Sequence, residues 1–258
     1  MTSERHLKFS TKLAYGFGAV AFGVKNNGFD YFLLIFYSQV MGVDAPLVGL
    51  ALLIALLFDA FSDPVVGYLS DNTHSRWGRR HPWMYASAVP VAICYFLLWA
   101  PPAGLTGNEL FPYVLILAIL IRVFITLFEV PSSALSAELT GDYDERTSLF
   151  SYRYFFGWTG GTIMATIALA AFLVPTEALT NGLLNKQGYT TYGMVASLLI
   201  LISILVTAVG THGQIPHFKP APPKVAMSLK RIFYEIYQTL ADRSFLALFL
   251  AADNYSGL

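Results

Sequence analysis

Charge is scarce in this chain: Asp, Glu, Lys and Arg make up 12% of its 258 residues, against roughly a quarter in soluble domains. With an apolar share of 55% and a mean hydropathy of +0.56, so few charges exclude an ordinary water-soluble fold. The charge that exists is balanced, sixteen basic against sixteen acidic residues, which leaves no basic face for nucleic acid. Cysteine is almost missing. Cys94 stands alone, so no intrachain disulfide is available, and it reads as a small lipid-facing or core residue. No His or Cys cluster has metal-ligand spacing, and the two acids of "FDAFSDP" lie on one helix, an arrangement that argues against an intramembrane enzyme. A channel would need a repeated pore element, and none is evident. The N-terminal "MTSERHLKFSTKLAYGFG" lacks a small-residue cleavage site, so the first apolar segment is expected to remain in place.

Long apolar runs are what the sequence has instead. A bilayer core needs about 20 mainly apolar residues per helix, and six spans are expected: Leu13 to Val40, Pro46 to Ser70, Pro82 to Pro101, Leu110 to Ala137, Leu149 to Val174 and Tyr189 to Thr211. The fold class is thus an all-α membrane protein embedded in a lipid bilayer. Residues 1–211 form the bundle and 212–244 a polar, Pro-rich linker with an amphipathic helix. A seventh apolar run, 245–258, is too short to cross, so the chain reads as the first half of something larger. Twelve Lys and Arg residues fall before the first span and in alternate connections, against Lys186 alone in the others. This asymmetry places the N-terminus on the cytoplasmic side of a plasma (inner) membrane.

Seven ionisable groups nevertheless fall within spans: Lys25, Asp30, Asp59, Asp63, Arg122, Glu129 and Arg153. Each costs at least about 2.5 kcal/mol at a helix centre on insertion scales. Apolar packing would serve stability better than so many desolvated charges, which points to a polar pathway or binding cavity. Asp59 and Asp63, one turn apart with Ser62 beside them, repel each other unless one is protonated or a cation lies between them. A hard cation prefers oxygen ligands. Thr126 and Glu129 are placed to add a hydroxyl and a third carboxylate, so the expected cation set is Asp59, Ser62, Asp63, Thr126 and Glu129, with Na+ at the two aspartates. Three positive and four negative groups leave one charge unmatched, which one Na+ or one proton would neutralise.

Asn26, Asn27 and Asp30 share a face suited to hydroxyl groups of a sugar or other polar solute, or to bridging between helices. Lys25 points about 100° away from Asn26. Arg122 and Arg153 each suit a carboxylate, either Glu129 or an acidic group on a solute. Trp158 and Tyr31 are candidates for ring stacking. The expected solute set is therefore Lys25, Asn26, Asn27, Asp30, Arg122, Glu129, Arg153 and Trp158. The connection "GYLSDNTHSRWGRRHPW" suits a cytoplasmic gate closed by charge pairing between Asp71 and Arg76, Arg79 or Arg80, or between these arginines and acids of the connection between the fourth and fifth spans.

The pattern of that connection resembles the major facilitator superfamily. More narrowly, "KLAYGFG" from Lys12, "DAFSDPVVG" from Asp59, "SRWGRRHPW" from Ser75, "EVP" from Glu129 and "YRYFFG" from Tyr152 resemble the glycoside-pentoside-hexuronide:cation symporter family, of which melibiose-permease-like carriers are members. The resemblance implies twelve spans in two halves, each a pair of inverted three-helix repeats, of which this chain holds the N-terminal six-helix half. It also implies a monomeric carrier without cofactor that moves a small solute, a sugar, glycoside or hexuronide, with Na+ or H+; the alternative is a proton-coupled carrier of another polar or amphiphilic solute, since lipid carriers share parts of these motifs. On this resemblance, Asp59 and Asp63 coordinate the ion assisted by Ser62 and Thr126, while Glu129 and Arg153 contribute to the sugar site. The galactoside pattern is not kept, because Glu129 stands for an Asp, Ser133 for a Trp and Gly23 for the first-span Asp. Lys25 and Arg122 would suit an anionic solute as well as a neutral one.

Overall fold

The computed structural model describes residues 7–177 and 179–218, and the expected linker helix and seventh apolar run fall outside them. Proline and short polar residues set the helix starts. Pro46, Pro82 and Pro112 occupy the first turns of α3 (Ala45–Asp71), α4 (His81–Trp99) and α5 (Phe111–Leu139), where a missing N–H costs nothing. Asp142 caps α6 (Tyr143–Ile167) by accepting from the Glu145 amide at 2.7 Å. Asn185 caps α7 (Lys186–His212) in the same way, accepting from the Gly188 amide at 3.2 Å.

Five stretches are long and apolar enough to cross a membrane: Ala45–Asp71, His81–Trp99, Gly107–Leu139, Tyr143–Phe172 and Lys186–His212. The first span is built differently from the continuous helix expected over Leu13 to Val40. It consists of α1 (Phe9–Phe17), α2 (Ala19–Asn27) and two π-helical stretches, Gly28–Leu33 and Phe36–Val40. Gly28 opens the first π stretch where a Cβ would collide with the hydroxyls of Tyr95 and Tyr192. Such π turns recur at functional sites, and this one carries Asp30 and Tyr31.

The packing has an internal symmetry. α3 packs on α5, α1 and α2 on α6, α4 on α7, α4 on α5, and α1 and α2 on α7. Exchanging the first three spans for the last three, in order, maps this set of neighbours onto itself. Each triplet has an odd number of crossings, so the second runs opposite to the first, the arrangement of inverted repeats in transporters. α2 and α6 cross closely, since a Cβ on Gly23 would collide with the Gly157 carbonyl and one on Gly161 with that of Gly23. Small residues at that crossing let the two backbones meet and form the floor of the cleft described next.

Candidate functional site

A cleft of about 400 Å³ opens between the first span, α5 and α6. Its residues follow helical spacing. Phe22, Asn26, Asn27, Asp30 and Tyr31 come from the first span, Glu129 and Ser133 from α5, and Phe150, Arg153, Tyr154, Trp158 and Thr162 from α6. Six of the expected solute residues, Asn26, Asn27, Asp30, Glu129, Arg153 and Trp158, thus line one cavity. Trp158 is 78% and Tyr154 70% exposed, so their rings are free of the bundle core. Phe22, Phe150 and Thr162 were not anticipated, although Phe150 and Thr162 lie at steps of four from Tyr154 and Trp158 and Phe22 lies four before Asn26.

Glu129 and Arg153 make one wall of the cleft. The guanidinium donates from Nη2 to Glu129 Oε1 at 2.5 Å and from Nη1 to Ser132 Oγ at 3.0 Å. It also lies over the Tyr15 ring, 5.4 Å from its centroid. Of the two acceptors open to Arg153 in the sequence, Glu129 or a solute, the structure assigns Glu129. The other carboxylate oxygen, Glu129 Oε2, is buried with no hydrogen-bond partner among the described residues.

Lys25 and Arg122 do not line the cleft. Lys25 is 3% exposed, and its ammonium lies between Phe22 and Phe29, 4.9 and 5.7 Å from the ring centroids. Arg122 sits over the same Phe29 ring at 5.6 Å. From α5 it crosses to α3 and pairs with Asp59 Oδ2. Asp59 Oδ1 and Arg122 Nε are buried without partners among the described residues. Asp63 accepts from Thr126 Oγ1 at 2.9 Å, and Ser62 Oγ donates to the Asp59 backbone carbonyl at 3.4 Å. Glu129 stands with Arg153 rather than with the aspartates. No three His, Cys, Asp or Glu side chains among the described residues are grouped to hold a metal ion. Pro64, directly after Asp63 and inside α3, leaves the Ala60 carbonyl without its helical amide.

All these contacts run along one stripe of α5. Arg122 meets Asp59, Thr126 meets Asp63, Glu129 meets Arg153, and Ser133 reaches the cleft. The spacing of four, three and four residues keeps the stripe on one helix face. One helix therefore touches both the aspartate pair and the cleft.

At one end of the bundle a second charge cluster forms. Arg79 Nε and Arg80 Nε both donate to Glu138 Oε1 at 2.6 Å, and Arg80 Nη2 donates to Asp71 Oδ1 at 3.0 Å. Gly78, at φ +73°, makes the turn that presents both arginines. Arg76 is exposed and forms no ion pair with a described residue. The partner from the other triplet is Glu138 in the last turn of α5, directly after the expected end of the fourth span and so among the acids of the connection between the fourth and fifth spans. Glu145, by contrast, holds Lys12 Nζ at 2.9 Å.

Comparison with known proteins agrees with this architecture. Residues 14–252 match the MFS/sugar transport protein family. An uncharacterized symporter of Synechocystis sp. is 37% identical over 80% of this chain and 38% of its own length. The isoprimeverose transporter of Lactiplantibacillus pentosus is 29% identical over 77% of this chain and 40% of its own length. A sodium-dependent lysophosphatidylcholine symporter of Danio rerio is 31% identical over 58% of this chain and 28% of its own length. The chain spans well under half the length of each. With its apolar helices, paired triplets and central charged cleft, this multi-pass membrane chain belongs to the MFS/sugar transport protein family, whose related members are named as symporters and transporters rather than enzymes.

Proposed function

We propose that the protein of which this chain forms part is a cation-coupled symporter for a sugar, glycoside or hexuronide, working by alternating access with its N-terminus in the cytoplasm. The observation that carries this reading is the α5 stripe. A Na+ ion or a proton at Asp59 and Asp63, assisted by Thr126, pulls on the same helix face that presents Glu129 to the cleft. Asp59 Oδ1, buried and unpartnered, is an oxygen waiting for a hard cation or a proton. Ser62 has a weaker claim, since its hydroxyl is engaged with its own helix. In the cleft, Glu129 and the amides of Asn26 and Asn27 bind solute hydroxyls, Arg153 holds Glu129 in place, and Trp158 stacks on a ring. The cluster of Asp71, Arg79, Arg80 and Glu138 closes the cytoplasmic side.

The relative named for lysophosphatidylcholine and the exposed aromatic rim of Tyr31, Tyr154 and Trp158 support a second reading, an amphiphilic solute. Uptake by the full-length protein in vesicles separates them. A panel of glycosides, pentosides, uronates and a lysolipid is offered under imposed Na+ or pH gradients. Asp59→Asn and Asp63→Asn are each expected to abolish gradient-driven uptake, and undiminished stimulation in both variants would refute the reading.

A further inference from the structure

We infer that Arg122 is a tethered cation that occupies Asp59 in the ion-free protein and competes with the coupling ion for that carboxylate. The inference rests on the symport reading above and adds a residue that sets the affinity of its ion site. Three observations carry it. First, Arg122 reaches from α5 to pair with Asp59 Oδ2, one of the two carboxylates to which an incoming cation would bind. Second, the pair is left half made. A guanidinium and a carboxylate ordinarily close a two-bond fork, but here Arg122 Nε and Asp59 Oδ1 are both buried without partners among the described residues. A part-buried charged pair with spare polar atoms is incompletely compensated for its desolvation, so exchange of the guanidinium for a better ligated ion releases an unfavourable arrangement.

Third, two cations already stand beside the aspartates. Lys25 and Arg122 lie over one Phe29 ring, and Arg122 holds Asp59. A cation arriving at Asp59 meets this like charge and gains the carboxylate only as a resident cation moves off it. Of the two, Arg122 is the one in contact with an aspartate. Lys25 makes no ion pair with a described residue. Phe29 gives the displaced guanidinium a surface on which to remain.

Na+ binding to the purified full-length protein in nanodiscs, followed by calorimetry, tests this without reliance on transport. A parallel titration of proton uptake serves a proton-coupled carrier. Arg122→Gln is expected to tighten binding of the coupling ion at least tenfold, and Arg122→Met, which keeps the stem against Phe29, should do the same if the glutamine variant folds poorly. Arg122→Lys, which keeps the charge, should stay within about threefold of wild type. Unchanged or weaker ion binding in the neutral variants, while Asp59→Asn abolishes it, would overturn the role of Arg122 alone. Ion binding that survives Asp59→Asn would overturn the symport reading and this inference with it.

Discussion

Two arginines at mid-span, Arg122 and Arg153, each hold one oxygen of a carboxylate on a neighbouring helix, yet their surroundings differ. Arg153 is 7% exposed, donates a further bond to Ser132 and lies over Tyr15. Arg122 has an unpartnered Nε, a shared Phe29 ring and a second cation, Lys25, on that ring. The spare oxygens differ too, because Glu129 belongs to the wall of the cleft whereas Asp59 lies outside it. One ion pair is built to stay and to shape a binding wall, and the other is built to open. Distance along α5 separates their tasks, while the shared helix face connects them.

Breaking the stable pair should have the largest effect. Arg153→Gln leaves Glu129 without a counter-ion, a loss of about 3–5 kcal/mol for buried pairs. Solute binding by the full-length protein should fall by about 100-fold or more, measurable by equilibrium binding of the transported solute, together with a lower unfolding temperature. If the affinity were kept, Arg153 would be a helix-packing residue and the contrast with Arg122 would lose its meaning. A smaller change sharpens the comparison from the other side. Thr126→Val removes the 2.9 Å bond to Asp63, and interhelical bonds of this kind are worth about 0.6–2 kcal/mol in membranes. Ion affinity should drop by about three- to thirtyfold with solute affinity in the absence of ion unchanged, as read by two separate titrations. An equal loss on both titrations would mean that Thr126 only stabilises the bundle.

Much of this was legible in the sequence. Apolar runs located the five stretches long and apolar enough to cross a membrane, since hydropathy over about 20 residues is set by the bilayer itself. The angle of about 100° per residue already set Lys25 apart from Asn26, and the structure has Asn26 in the cleft and Lys25 behind it. The spacing of Arg122, Thr126 and Glu129 likewise displayed the α5 stripe. Three things were not readable. The π turns of the first span depend on hydrogen-bond register, which apolar periodicity does not encode. The choice of Asp59 for Arg122 and Glu129 for Arg153 depends on which helices are neighbours, as does the pairing of Arg79 and Arg80 with Glu138.

The central claim is that α5 couples an ion at Asp59 and Asp63 to a solute beside Glu129. Linkage requires that the ion raise solute affinity by the same factor as the solute raises ion affinity. Titrating the full-length protein with solute at zero and saturating ion, then with ion at zero and saturating solute, measures both factors. The account predicts two equal factors above one in the wild type, and a factor of one in Asp59→Asn with solute binding retained. Solute affinity that is identical with and without Na+ and at every pH tested would contradict it.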